Sequence, residues 1–293
     1  ADLESLAETK ISRECVQRWT KRVGGECVNW DEALADAYQS LSLPEQQRSP
    51  TDQVPQVACV MMDGGRIQVR DRHEATLSKK GYWKESLVGC CLSMVGEEHA
   101  EDPCPLIPKT FVDPERIRDL VREIKGISTT VEDADAPEKE PPDDRVGRPE
   151  VLVRSVVATC QGPETLGRRL VAEAHSRGFH AARRKAFVAD GSATNWGVHR
   201  KHFSHYTPIL DFTHAICYVY AAAMTGRAAA AGWRDYLPWA QWLWEGSIDK
   251  LIEAIDARSR TLGPPPEGDE TSPAALVAKT LCYLKNQHTR MDY

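Results

Sequence analysis

The chain has 293 residues, of which 41% are hydrophobic and 27% are charged, and its formal net charge is −6. This composition is ordinary for a folded protein and excludes a fully disordered or fibrous chain. The longest apolar stretch, around residues 215–231, is interrupted by Arg227 and falls short of the ~20 residues that a membrane-spanning helix needs. Residues 1–10 are acidic and do not resemble a secretory signal. We therefore expect about two domains and no association with a membrane.

Nine cysteines are present, and none belongs to a Cys-x-x-Cys pair. Zinc sites and disulfide frameworks have regular cysteine spacings, whereas scattered thiols are typical of reduced proteins in the cytosol. We expect reduced, buried thiols and a cytoplasmic location, in preference to a zinc site or disulfides.

Charge is distributed unevenly along the chain. The segment Glu132–Asp144 holds seven acidic residues against one lysine, together with three prolines, so its charge equals that of the whole chain. Such a composition predicts a solvated insertion without regular structure, near residues 128–148. Two other segments, Lys10–Arg22 and Leu166–His205, are basic. They fit either a surface that binds a polyanion or ordinary solvated helix faces.

The first 50 residues predict helices. An apolar pattern at Leu3–Ala7 is followed by Ser12, a favoured N-cap residue, and then by a basic helix that we expect over Arg13–Val23. That helix should end at Gly24-Gly25, and a further helix is expected over Asp31–Ser42. Two short helices joined by a tight turn fit a helix-turn-helix, although any amphipathic helix pair gives the same signal. The candidate DNA-binding residues on the second helix are Arg13, Gln17, Arg18, Lys21 and Arg22.

The pattern then changes to strands. Three strands are expected between residues 56 and 94, with Asp63-Gly64-Gly65 as a turn between the first two. Three further strands are expected to alternate with helices. The early strands should form an antiparallel meander, and crossover helices should make the last two parallel. The predicted fold class is α/β, a mixed sheet with helices on both faces, followed by an all-helical stretch. The expected strands are Gln56–Met62, Arg66–Arg70, Trp83–Met94, Val151–Cys160, Lys185–Ala189 and Pro208–Phe212, and the expected helices are Pro114–Lys125, Pro163–Arg177, Ala193–His202, one from Thr213, Trp233–Glu245, Ser247–Arg258 and Ala274–Arg290.

Two aspartates, Asp63 and Asp190, occupy matching positions, because each follows an apolar strand and precedes a glycine. Carboxylates at the ends of neighbouring strands can converge on hard divalent cations such as Mg²⁺, which prefer oxygen ligands. Two such ions can align an in-line attack on a phosphodiester. Since Asp-Gly is also a common turn, each aspartate alone is a weak signal, and the strand order makes the pair a stronger one.

Four runs of the sequence together resemble DDE transposases of bacterial insertion sequences, most closely the ISKra-type family. These runs are VMMDGGRIQVR (Val60–Arg70), AFVADGSATNW (Ala186–Trp196), PILDFTHA (Pro208–Ala215) and YLKNQHTRMDY (Tyr283–Tyr293). The resemblance spans most of residues 54–293 and implies an RNase H-like catalytic core. The domains it implies are a helix-turn-helix-like segment (1–50), the core with the acidic insertion (51–232), a helical insertion domain (233–280) and the start of a C-terminal part of the core (281–293).

The resemblance implies metal-dependent DNA strand cleavage and strand transfer during transposition. Asp63 and Asp190 would be catalytic and would bind two Mg²⁺ or Mn²⁺ ions, while Asp211 and His214 match a related signature and would support the active site. The partners implied are DNA, as element ends and target, and further copies of the chain, at the nucleoid of a bacterial cytoplasm. The family's third acid, a Glu, follows the stretch matched by residues 290–293. We therefore expect this chain to lack that acid, to be inactive as it stands, and to show an open acidic pocket with exposed apolar surface beside the first strand.

Several residues keep a second interpretation. His214 fits either support of the active site or a satisfied core histidine. Arg66 and Arg70 share one sheet face and are candidates for phosphate contacts with DNA. A spacing of three at His199, His202 and His205 fits a metal site or, preferably, a solvated basic helix face. The alternative functions are a DNA-binding transposase remnant without catalysis and an RNase H-like nuclease without strand transfer.

Overall fold

The computed structural model describes residues 12–69, 82–124 and 147–293. Its strands form one sheet in the order β3-β2-β1-β4-β5, where β1 is Val57–Val69, β2 is Tyr82–Val95, β3 is Glu150–Thr159, β4 is Arg184–Ala189 and β5 is Thr207–Leu210. The pairs β1/β2 and β2/β3 are antiparallel, whereas β1/β4 and β4/β5 are parallel. This mixed, open sheet confirms the predicted α/β class.

Helices precede, separate and follow the strands. Ala193–His202 has the predicted bounds, and most other expected helices differ from the prediction by one to four residues at an end. The described helices are α1 (Arg13–Ser40), α2 (Leu43–Gln46), α3 (Lys109–Val112), α4 (Pro114–Ile124), α5 (Pro163–Ser176), α6 (Ala193–His202), α7 (Phe212–Met224), α8 (Ala229–Trp244), α9 (Ile248–Leu262) and α10 (Pro273–Gln287), with single 3₁₀ turns at Phe179–Ala181 and His288–Arg290.

Three of the sequence predictions fall on residues outside the described ranges: the helix Leu3–Ala7, the side chain of Arg70 and the acidic segment Glu132–Asp144. Among the described helices, none combines the length and the apolar character that crossing a bilayer requires. None of the nine cysteines, all of which lie in the described ranges, forms a disulfide bond, but only Cys59, Cys91 and Cys217 are buried, so the expectation of buried thiols is wrong for the others.

The first described helix is longer than predicted. The Ser12 side chain accepts a hydrogen bond from Cys15 N, as expected of an N-cap, but α1 continues through Gly24-Gly25 to Ser40. Glycine ends a helix when it adopts a positive φ, and neither glycine does so. The Arg22–Glu26 ion pair, 3.1 Å between Nε and Oε1, spans the two glycines. The predicted helix end at Gly24-Gly25 is therefore wrong, and one helix replaces the two predicted over Arg13–Val23 and Asp31–Ser42.

The first strand also differs from the prediction. Asp63-Gly64-Gly65 is not a turn, because β1 runs without a break from Val57 to Val69 and these three residues pair with Val88, Leu87 and Ser86 of β2. A long antiparallel partner gives the backbone of all three residues a hydrogen-bonding neighbour. The first three predicted strands are thus two, β1 and β2, and the antiparallel part of the sheet is completed by β3 instead. Pairing between β1 and β4, however, stops at Met62↔Ala189, so Asp63 still lies just beyond the parallel part of the sheet.

One face of the sheet packs against α5 and α6. Val60 of β1 and Phe187 of β4, which point to this face, are completely buried. Leu170 of α5 lies so close to β2 that a Cβ added to Gly89 would be 2.4 Å from its Cδ1. From α6, Trp196 contacts Phe187 with 6.1 Å between ring centroids. Side chains that point to this face of the sheet thus fill the layer beneath the two helices.

The four C-terminal helices α7–α10 pack on one another. Their buried residues, such as Tyr236 and Leu251, belong to the same apolar cluster as those of the sheet. Arg258 of α9 is buried, and its guanidinium donates to the carbonyls of Ala222 and Thr225 at the end of α7. Charged hydrogen bonds of this kind satisfy carbonyls that a helix end leaves without partners.

The C-terminal third of α1 attaches it to α5. Ala35 is completely buried, and Glu32 accepts hydrogen bonds from both Arg168 and Arg169. Asp36 adds an ion pair to Arg168, with 3.1 Å between Oδ1 and the guanidinium. Since the side chain of Arg169 is only 2% exposed, Glu32 is the counter-charge of a buried cation.

Candidate metal centre

Three side chains converge where β1 leaves its pairing with β4. Asp63 lies in β1, Asp190 follows the last residue of β4, and His214 lies in the first turn of α7, directly after β5. One potential ligand atom from each residue lies within 4.8 Å of the others. The convergence follows from topology, because parallel neighbours bring their carboxyl ends to the same edge of a sheet. The structure thus brings the two predicted aspartates together and adds His214 to them.

The loop after β4 holds Asp190 in place. Its Oδ1 accepts hydrogen bonds from Ser192 N at 2.9 Å and from Asn195 Nδ2 at 2.7 Å. The Asn195 amide also donates to the carbonyl of Met62 at 3.4 Å, and its residue is 2% exposed. Asn195 therefore links the β4 loop to β1 immediately before Asp63, which fixes the two aspartates relative to each other.

Asp211 orients His214. One carboxylate oxygen of Asp211 accepts from Thr213 N at 2.8 Å, as an N-cap does, and the other contacts His214 Nδ1 at 2.9 Å. When Nδ1 carries the proton that Asp211 accepts, Nε2 is the nitrogen with a lone pair for a metal. Carboxylate–histidine pairs of this kind are the usual outer support of metal-bound imidazoles. The structure thus places Asp211 in contact with His214, and its support of an active site stays a prediction.

Electrostatics at the site couple these groups. The hydrogen bond to Asp211 raises the pKa of His214, burial opposes this effect, and the charges of Asp211, Asp190 and Asp63 add to the increase. Burial by itself would raise the pKa of Asp211, but the hydrogen bonds from His214 and Thr213 outweigh it, so the pKa of Asp211 is lowered. The site is therefore an acidic environment in which positive charge is favoured.

Helix α10 braces the loop from the other side. Tyr283 Oη donates to the carbonyl of Asp190 at 2.9 Å, and Gln287 Nε2 donates to the carbonyl of Gly191 at 3.0 Å. Gly191 has a φ of +92°, and a Cβ there would lie 3.0 Å from Tyr283 Cε2. Only glycine can adopt this backbone conformation in so little space. Helix α10 therefore holds the loop at Asp190 and Gly191 in place.

The sheet face beside Asp63 is open. A hollow of about 210 Å³ is lined by Asp63 and Asp211 and by apolar side chains of β1, β2 and β4. Met61 and Val88 in it are each 38% exposed, and Val156 on the same face of β3 is 59% exposed. The exposed apolar surface expected beside the first strand is therefore present, whereas the hollow is lined by Asp63 and Asp211 and does not include Asp190, as the expected acidic pocket would.

The donor set fits a divalent cation. Asp63 and Asp190 each use Oδ1 to accept a backbone N–H, from Gly64 and Ser192 respectively, which leaves Oδ2 of each as the candidate ligand atom. Two carboxylates and one imidazole suit a transition-metal ion such as Mn²⁺ better than Mg²⁺, which prefers oxygen ligands alone. The acids that the sequence offers in the helical region, Glu245, Glu253 and Asp256, do not belong to this group among the described residues.

The other predicted site residues lie elsewhere. Arg66 is exposed on β1, opposite Glu85 of β2. The candidate DNA-binding residues of α1 are all exposed, and they are Arg13, Gln17, Arg18, Lys21 and Arg22. Their exposure satisfies one requirement of a DNA-binding surface, and it leaves DNA binding itself a prediction.

The histidines of the basic segment do not form a solvated face. His199 is buried, with its Nε2 2.9 Å from the carbonyl of Tyr206, and the Nε2 atom of His202 is buried without a hydrogen-bond partner. His205 lies beyond the end of α6 and contacts the ring of His180, with 5.0 Å between centroids. The preferred interpretation as a solvated helix face is therefore wrong for His199 and His202, which α6 turns toward the sheet and α5, while His205 is exposed but lies outside the helix.

Sequence reasoning missed Asn195, Tyr283 and Gln287. Asn195 had one usable signal, since it is a polar residue on the helix face that also carries the buried Trp196 and His199. Tyr283 and Gln287 are four residues apart and share a face of α10, but their partners lie 93 and 96 residues earlier. No local pattern reveals contacts of that separation.

No protein-family model, curated protein or solved structure matches this chain.

Proposed function

We propose that this chain is a DDE transposase, which cleaves and joins DNA strands with divalent metal ions. The observation that carries the proposal is the convergence of Asp63, Asp190 and His214 to within 4.8 Å at the ends of neighbouring strands. Carboxylates so placed are suitable ligands for the ions that support phosphodiester chemistry.

The fold supports the proposal. The strand order β3-β2-β1-β4-β5, with its antiparallel hairpin and two parallel strands, is compatible with an RNase H-like core. In such a core the first acid lies on the first strand and the second follows the fourth strand, and Asp63 and Asp190 occupy those positions. Under this proposal, the helices from α8 onward include the insertion domain that precedes the third acid.

The chain's own residues would mainly position charge. Bound ions would polarise the phosphodiester and activate the attacking water or 3′-hydroxyl. The two aspartates supply the negative charge that holds those ions, and Asp211 sets the orientation of the His214 ring. Because Asn195 ties the β4 loop to β1, the carboxylates are positioned before substrate binds, which is how enzymes reduce the reorganisation that a reaction requires.

DNA would be the partner. The exposed cations of α1 and the exposed Arg66 on β1 provide candidate contacts for phosphates. Element ends and target DNA would occupy the site in turn, with the protein acting as a homo-oligomer at the nucleoid of a bacterial cytoplasm.

Metal binding and DNA nicking test the proposal. We expect weak Mn²⁺ binding by the chain, because the protein supplies few ligands and water must complete the coordination. Metal-dependent nicking of a supercoiled plasmid should be residual at most, in keeping with the expected inactivity of this chain. Asp63→Asn and Asp190→Asn should abolish both and leave DNA binding intact, while Asp52→Asn, an exposed loop aspartate, should change neither.

A strand-joining assay, together with the nicking and binding measurements, distinguishes the alternative functions. Joining of pre-cut element ends to a target identifies strand transfer, whereas nicking without joining identifies a nuclease. DNA binding without Mn²⁺ binding would contradict the enzyme and favour a DNA-binding remnant.

A further inference from the structure

The N-terminal part of α1 projects from the rest of the described structure. At 1.5 Å per residue, residues 13–30 span about 27 Å, and all of them are exposed except Cys15, which is partly buried. The contacts that hold α1 lie farther along, at Glu32, Ala35 and Asp36. Helices of this length are marginal in water unless an apolar face is packed.

This projecting part carries an apolar face. Val16, Val23 and Trp30 are spaced seven residues apart, and Trp19 lies three residues after Val16, so all four share one side of the helix. Their exposed fractions are 49%, 51%, 72% and 55% respectively. Large apolar residues at three- and seven-residue spacings are the pattern of helices that pair along a seam.

Charge is segregated along the same helix. The first half carries Arg13, Arg18, Lys21 and Arg22 against Glu14, whereas the remainder carries only acids. Glu32 and Asp36 already pair with the arginines of α5. This leaves Asp31 and Glu26, the latter in an exposed pair with Arg22 of the same helix, to face a second helix. A parallel pair of such helices would place basic half on basic half. An antiparallel pair places the basic half of each helix beside the acidic half of the other, which is the complementary arrangement.

We propose that α1 is a self-association element, which pairs in antiparallel orientation with α1 of a second copy of this chain through Val16, Trp19, Val23 and Trp30. Because residues 16 and 30 are equidistant from residue 23, a two-fold axis near Val23 brings the apolar side chains of the two copies together. This pairing does not depend on the proposed transposase activity.

The area available is sufficient for such a pair. The exposed parts of the four side chains amount to on the order of 400 Å² per chain, given the size of aromatic residues. When the aliphatic parts of the flanking side chains are included, the area that two copies bury together therefore approaches the ~1,000 Å² that a specific interface requires. Phosphate contacts with DNA would use the cations of this helix, whereas two tryptophans and two valines on the surface offer nothing to a phosphate. The apolar face thus fits a second helix of the same kind.

Oligomeric state tests the proposal, measured by sedimentation equilibrium on the full chain with EDTA and without DNA. The wild-type chain should be dimeric at micromolar concentration. Val23→Glu should weaken association by at least ~10-fold, since it places like charges at the centre of the pair. Val28→Glu is the matched control, because Val28 lies on the same helix at 44% exposure but away from the apolar face, and it should remain dimeric.

Clear outcomes would overturn the proposal. The proposal fails if the wild-type chain is monomeric or if it forms a dimer only when DNA is added. It also fails if Val23→Glu associates as the wild type does, or if Val23→Glu and Val28→Glu weaken association equally. Association that tightens as NaCl rises would contradict the antiparallel arrangement, because its charge attraction is screened by salt. Circular dichroism checks that both variants stay folded. None of these readouts involves metal or nicking, so failure here and failure of the proposed function are distinguishable.

Discussion

Asn195 should determine how well the candidate metal centre binds its ion, although it is not a ligand. Asn195→Ala removes the 2.7 Å hydrogen bond to Asp190 Oδ1 and the link to the Met62 carbonyl. A hydrogen bond to a charged group contributes about 1.5–3 kcal/mol. Loss of an outer partner of a ligand lowers metal affinity ~10–100-fold, which corresponds to about 1.4–2.8 kcal/mol. The two ranges agree, so we expect weaker Mn²⁺ binding by at least ~10-fold.

Titration of the full chain with Mn²⁺, followed by electron paramagnetic resonance of the free ion, measures this affinity directly. The control is Asn286→Ala, since Asn286 is exposed on α10 and its amide contacts Cys282 Sγ at 3.4 Å. Thermal unfolding without metal shows how far Asn195→Ala lowers stability, and the titration is performed well below that transition. If Asn195→Ala binds Mn²⁺ as the wild type does while Asp190→Asn does not bind it, the positioning role of Asn195 is refuted.

Further predictions concern stability, pH and metal preference. Glu32→Ala should lower the free energy of unfolding by about 2–3 kcal/mol, less than the ~3–5 of a fully buried pair, because it leaves Arg169 buried without its counter-charge while Glu32 is itself 32% exposed. Gly89→Ala should cost about 1–3 kcal/mol by overpacking, since its Cβ would meet Leu170. Burial, with a smaller effect of Lys201, lowers the pKa of His202 below its ordinary 6.5. In acid the unfolded state therefore binds more protons than the folded state, so the contribution of His202 to stability should fall as the pH drops through 6.5. His202→Gln should reduce this dependence of stability on pH. Mn²⁺ should bind the candidate centre more tightly than Mg²⁺, because the set includes an imidazole.

Matched controls separate these effects from general damage. Glu267→Ala changes an exposed acid and should leave the urea midpoint unchanged, whereas Glu32→Ala should lower it. The control for Gly89→Ala is Gly65→Ala, because no atom lies within 4 Å of the Cβ that this substitution adds. The raised pKa of His214 has the opposite effect on stability, so the test is the difference between the two chains. If the melting temperature of His202→Gln changes between about pH 7.5 and pH 5.5 as that of the wild type does, the histidine argument is contradicted. Equal affinities for Mn²⁺ and Mg²⁺ would show that His214 is not a ligand.

Local pattern was sufficient for most of the fold. The apolar run before Asp190 and the helix Ala193–His202 were both predicted with nearly their observed bounds. These elements are set by short-range chemistry, namely burial periodicity and capping. The convergence of Asp63 with Asp190 could be predicted as well, because each follows an apolar strand and precedes a glycine, and carboxylates at the ends of neighbouring strands can meet.

Prediction failed where a distant partner changed the meaning of a local signal. Asp63-Gly64-Gly65 has the composition of a turn, but β2 supplies a partner for its backbone and the residues become part of a long strand. Gly24-Gly25 has the composition of a helix end, but an ion pair between residues 22 and 26 crosses it. Glycine permits a change of direction without requiring one, so a sequence alone does not distinguish the two cases.

The bracing of the β4 loop by α10 has a consequence for biosynthesis. Tyr283 and Gln287 reach back over 93 and 96 residues to the carbonyls of Asp190 and Gly191. During translation, strands β1 and β4 leave the ribosome well before these two side chains exist. The sheet can therefore assemble early, while the loop carrying Asp190 acquires its final support only when α10 has been made and has docked. Contacts of such sequence separation also form late in folding, because closing a long loop is entropically unfavourable. The nascent chain thus completes its acidic centre after the surrounding sheet.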